Sequence, residues 1–239
     1  MHSLIVTLAL LAQVSGQRDT RNERPAPDTL RVTQFEDGPE DTSGGRRLSR
    51  FEIYLHHVTD KPINGKSNVF ASGLTLHGSR AVLDEKGTRL RVDEYDCDFP
   101  SVIRQGDVFP YIGAIYRVQM LFDSKKGAME LKRIDPVNLP MHVKYPRDEY
   151  PIILHKSIEI GKYPAHLIEI NTAANDESEV TIKLPGEKET REIPHLRIGD
   201  TFPIGPHEYK IGSIVPFDAE KKFVGWITIE PVIPTPSSP

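Results

Sequence analysis

The sequence is poor in sulfur, in tryptophan and in long apolar runs. Its 239 residues include one cysteine, Cys97, and one tryptophan, Trp226. A single cysteine closes no internal disulfide and excludes CxxC zinc sites and cysteine-held iron–sulfur clusters. Positive charge is not in surplus: 30 Lys and Arg stand against 34 Asp and Glu, a formal net charge of −4. That balance argues against a nucleic-acid partner. No apolar run reaches the roughly 20 residues that cross a bilayer as a helix. The GxSxG elbow, the P-loop, GxGxxG and SxxK are all missing, and there is no Asn-x-Ser/Thr acceptor.

The amino terminus carries the clearest signal. Leu4 to Ala12 is free of charge and apolar except for Thr7, and Val14 and Gly16 place small residues before Gln17. This is the pattern of a secretory signal peptide over residues 1–16, although its first residues contain no Lys or Arg. The mature chain is expected to begin at Gln17, to be secreted or periplasmic, and to have no membrane span. Residues 17–49 mix 6 Lys and Arg with 7 Asp and Glu among few apolar side chains, so they read as a disordered linker. Within them, Leu30, Val32 and Phe35 have the spacing of one short strand. Asp41-Thr42-Ser43-Gly44 resembles the Asp-Thr/Ser-Gly of aspartic proteases, but with one residue too many and in linker composition.

From residue 50 onward, β-branched or alternating runs recur between turn residues, and no capped helical period of ten residues appears. The class is all-β. Glu85-Lys86-Gly87 and Asp123 to Gly127 read as hairpin loops. At an offset of 93, Arg104, Gly106, Asp107, Phe109, Pro110 and Tyr116 recur as Arg197, Gly199, Asp200, Phe202, Pro203 and Tyr209. Shifted by two more residues, Phe122-Asp123 and Lys126 align with Phe217-Asp218 and Lys221, and upstream Thr88–Val92 is set against Val180–Leu184. The spacing predicts two tandem small β-sandwich or β-barrel modules, at 50–143 and 150–233, related by an internal repeat. Residues 144–149 form the linker between them, and 234–239 form a Pro/Ser-rich tail. In the repeated element, Gly supplies a positive φ, Asp caps backbone amides, and the later Tyr lies on the following strand.

Sites are sparse. His56 and His57 face opposite sides of a strand, and His77, His142, His155, His166, His195 and His207 lack metal-ligand spacing. Asp93 to Asp98 holds four carboxylates in six residues without the Gly and distal Glu of a calcium loop. Its alternation with Tyr95, Cys97 and Phe99 reads as a half-buried edge strand, with Asp93 pointing away from Asp96 and Asp98. The same carboxylates disfavour Cys97 as a thiolate nucleophile. No catalytic, cofactor-binding or metal-binding residue is assigned, and no cofactor is expected. Trp226 is expected in the core. The expected function is a non-enzymatic exported protein binding another protein or a glycan. The alternative is a secreted hydrolase with a carboxylate or histidine site between the modules.

Overall fold

The computed structural model describes residues 28–33, 49–60, 68–84, 86–111, 113–122, 128–144, 149–172, 178–186 and 189–233. The signal segment, the Asp41–Gly44 run, the Asp123–Gly127 loop, Tyr145-Pro146 and the 234–239 tail lie outside these residues. The described chain is all-β, and its only helical element is a single 3-10 turn at Pro136–Asn138. Among the described residues no helix is long and apolar enough to cross a membrane.

Among the described residues sixteen strands run in chain order. They are β1 (Thr29–Thr33), β2 (Ser49–Asp60), β3 (Val69–Leu83), β4 (Arg89–Asp98), β5 (Ile103–Arg104), β6 (Val108–Tyr111), β7 (Ala114–Phe122) and β8 (Ala128–Arg133). The second half contributes β9 (Tyr150–Ile153), β10 (Ser157–Ile160), β11 (Tyr163–Thr172), β12 (Ser178–Leu184), β13 (Arg191–Leu196), β14 (Thr201–Ile204), β15 (His207–Val215) and β16 (Trp226–Pro231). One four-stranded sheet has the order β1-β8-β7-β6, and another has the order β14-β15-β16-β9. The two orders correspond, with β9 in the place of β1. The third sheet runs β13-β12-β11-β10-β4-β3-β2, with β5 also paired to β3.

The third sheet pairs strands from 50–143 with strands from 150–233. β10 pairs antiparallel with β4, Ile158 opposite Cys97 and Ile160 opposite Tyr95, and Gly161 N–H adds a 2.6 Å bond to the Glu94 carbonyl. β4 is therefore an interior strand rather than an edge. Within 17–49, the short strand that the spacing of Leu30 and Val32 predicts is present as β1. Thr29–Thr33 pairs along β8, with Val32 buried and Leu30 packed on the core. Its two inward apolar side chains bury enough surface to order a strand in an otherwise polar stretch. At the far end of the 144–149 stretch, Glu149 is packed against Gly212, and its carboxylate accepts from the Thr228 hydroxyl. Burial pushes that carboxyl above its ordinary range.

The two Gly-Asp turns have the same backbone bonds. Gly106 and Gly199 have φ of 92° and 94°, a left-handed region that other residues enter only with strain. Gly106 N–H donates to Val118 O and Gly199 N–H to Ile211 O, both at 2.8 Å. The Asp107 and Asp200 carboxylates accept from the amides of Arg104 and Arg197 at 2.7 and 2.8 Å. Phe109 pairs with Tyr116, and Phe202 with Tyr209. Even the bulges correspond, after Val118 in β7 and after Ile211 in β15.

Outside this core of the pattern the alignment changes. Ile103 pairs with Ala71 in β3, whereas Leu196 pairs with Val180, so Val180 matches Ala71 rather than the Thr88–Val92 segment. Phe122 ends a strand, whereas Phe217 sits in a longer loop and is largely exposed.

One contiguous apolar cluster runs through both halves, including Phe109, Tyr116 and Met129 from the first and Tyr209, Ile211 and Trp226 from the second. Trp226 is fully buried on a central strand whose neighbours Ile227, Thr228 and Ile229 are also buried. The 216–225 loop then folds back on the first half. Val108 N–H donates to Lys222 O and Val224 N–H donates to Val108 O, which covers the outer edge of β6. An exposed strand edge is a pairing hazard, and this contact removes one.

Candidate functional site

The first place to look for chemistry is the seam between the halves. There β4 presents Asp93 inward, on the same face as Tyr95 and Cys97, and the residue is 4% exposed. Arg91 Nε donates to its Oδ1 at 2.7 Å. From the second half, the hydroxyls of Tyr209 and Tyr150 donate to Oδ2 at 2.9 and 3.1 Å. The rings continue the seam: Tyr95 meets Tyr150 edge-on at 4.9 Å, and Tyr150 meets Tyr209 at 6.2 Å. The Arg80 and Arg91 guanidiniums lie over Tyr150 and Tyr209 at 5.6 and 5.9 Å. The buried charge is thus paired, with three donor groups from two halves on two oxygens.

Burial holds the phenols of Tyr95, Tyr111, Tyr150 and Tyr209 well above their ordinary range, and the Asp93 charge adds to this for Tyr150 and Tyr209. In the unfolded chain a tyrosine titrates near 10. Above that pH the folded state binds more protons than the unfolded one. The contribution of these four phenols to stability is therefore flat below about pH 10 and falls as the pH rises beyond it. An absorbance titration at the phenolate band is expected to show at least four of the eight tyrosines resisting ionisation until the chain unfolds. Smooth ionisation of all of them near pH 10 in a folded chain would contradict this burial.

A second site lies on the outer face of the first half. A groove of about 630 Å³ runs along β7 and β8, and a depression of about 160 Å³ adjoins it through Arg117, Ile134 and Asn138. Neither is lined by Arg91, Asp93, Tyr150 or Tyr209. Arg117 of β7 stands directly opposite Lys132 of β8, and both side chains are exposed. Like charges opposite one another on a sheet repel. In the second half, Lys210, at the offset of 93 from Arg117, stands opposite Glu230 and forms a 2.5 Å ion pair with it. Further cations at the groove are Arg133, paired with Asp28, and Lys221, paired with Asp218 at 3.0 Å. Gln105, Gln119 and Asn138 add amides, and Asp135 supplies one carboxylate on the rim, where it caps the Val137 amide.

The candidates read from sequence spread out. Cys97 is buried, and its thiol is pushed up first by burial and then by Asp96 and Asp98. Asp96 bonds His77, and Asp98 accepts from Ser157 at 2.9 Å. Asp93 faces the other way, as alternation implies. His195 pairs with Glu179. The side chains of His56 and His57 lie outside what is described. Among the described residues no three His, Cys, Asp or Glu side chains are grouped for a metal. Sequence reasoning missed the partners of Asp93 and the Arg117–Lys132 pair, because each depends on strand register. Comparison with protein-family models, with curated proteins and with solved structures found no match.

Proposed function

We propose that the chain is an exported, non-enzymatic binding protein made of two tandem copies of one β unit, β1–β8 and β9–β16, fastened into one body. The matched turns at Gly106 and Gly199, the matched bulges and the matched order of the two four-stranded sheets support the duplication. The Asp93 cluster carries the choice between binding protein and hydrolase. A hydrolase with its site between the halves needs a carboxylate that reaches substrate or water. Asp93 is the carboxylate that both halves surround, and its oxygens are already engaged by Arg91, Tyr150 and Tyr209. Such a group fixes the relative position of two units and has little capacity left for proton transfer.

Incubation of the purified chain with neutral and acidic polysaccharides and with an unfolded protein substrate tests this. The expected result is that all remain uncut. New reducing ends or new amino termini that appear with the wild type and vanish with the Asp93→Asn variant would contradict it.

A further inference from the structure

We infer that the groove on the outer face of the first half is a binding site for an acidic saccharide whose carboxylates are spaced among hydroxyls, as in a polyuronate. The inference rests on the binding-protein reading and names the ligand class of that protein.

The groove holds an uncompensated pair of cations. Arg117 and Lys132 are cross-strand neighbours with like charge, and among the described residues neither forms an ion pair with an acid. The corresponding position of the second half has solved the same problem internally, with Glu230 opposite Lys210. The first half leaves two cations facing solvent on adjacent strands, in a groove of about 630 Å³. A bound carboxylate is the counter-charge that this arrangement lacks, and the planar Arg fork suits it.

The surroundings choose the class of anion. Gln105, Gln119 and Asn138 line the same groove, and an amide both donates to and accepts from a hydroxyl. Asp135 lies on the rim, where its carboxylate opposes a ligand that carries more than one charge per ring. A chain of sugar acids offers what these residues match, one carboxylate per ring with hydroxyls between. A densely sulfated polymer matches them less well, and an acidic peptide lacks the hydroxyls.

The test uses the full chain with polygalacturonate, dextran sulfate, neutral dextran and polyglutamate as probes, read by calorimetric titration at low and high salt. Polygalacturonate is expected to bind best, to weaken with salt as its charges are screened, and to leave neutral dextran without measurable binding. Lys132→Glu copies the second half's solution. It is expected to weaken polygalacturonate binding at least tenfold while leaving the melting temperature the same or higher, because it removes a repulsion. Arg117→Gln is expected to weaken binding by a similar factor. The site is overturned if polygalacturonate does not bind, or if Lys132→Glu binds it as tightly as the wild type. Equal or tighter binding of polyglutamate or dextran sulfate overturns the saccharide assignment. The appearance of new reducing ends in the polygalacturonate samples would sink the non-enzymatic reading while leaving the site in place, so the two failures are distinguishable.

Discussion

Replacing Asp93 by alanine is expected to destabilise the chain by about 3–5 kcal/mol, the cost of removing one partner from a buried ion pair. The reason lies in what remains. Arg91, with its side chain 17% exposed, keeps its charge and loses the carboxylate 2.7 Å away. The hydroxyls of Tyr150 and Tyr209 lose their acceptor inside the seam. Each group brought inward by folding would then lack a compensating bond, and that asymmetry makes the loss large. For a chain of this size the melting temperature is expected to fall by on the order of 10 °C. Asp93→Asn keeps the shape and one acceptor oxygen, so its loss is expected to be smaller. Tyr150→Phe and Tyr209→Phe each remove one bond to a charged group and are expected to cost about 1.5–3 kcal/mol. Denaturant titration of the four variants checks the ordering. An Asp93→Ala protein as stable as the wild type would show that the cluster contributes nothing to holding the halves.

The second large effect is expected at Trp226. Its ring is fully buried and packs edge-on against Phe223 at 5.6 Å, and Phe223 belongs to the segment that docks on Val108. Trp226→Ala opens a cavity on a central strand and is expected to cost about 3–5 kcal/mol. Trp226→Phe is expected to cost far less. Among the described residues the buried indole N–H has no hydrogen-bond partner, so phenylalanine removes an unsatisfied donor as it removes volume. Because Trp226 is the single tryptophan, native fluorescence is expected to be blue-shifted and to move red in one step on unfolding. Emission in the native state like that of free indole would contradict the burial.

Much of the local structure was legible in sequence because a strand declares itself by alternation. Tyr95, Cys97 and Phe99 against Glu94, Asp96 and Asp98 gave the faces of β4, and with them the inward direction of Asp93. The Gly-Asp turns were legible because Gly at a positive φ and an Asp that caps its own turn are local chemistry. What failed was non-local. Nothing near Asp93 announces that its acceptor oxygens will meet Tyr150 and Tyr209, the latter 116 positions away. Likewise, nothing in Ser157–Ile160 says that it will join β4 and turn two sheets into one. The groove depends on which residue of β8 faces Arg117, and a bulge after Val118 sets that register. The short strand β1 was legible from the alternation of Leu30 and Val32, although the average composition of its surroundings is that of a linker.

Scanning calorimetry of the wild-type chain tests most directly the claim that two like units are fastened into one body by the shared sheet and the Asp93 cluster. The account predicts one cooperative transition, with the calorimetric enthalpy equal to the van't Hoff enthalpy for the whole chain. Two separable transitions, each with about half the enthalpy and each unmoved by Asp93→Ala, would contradict it.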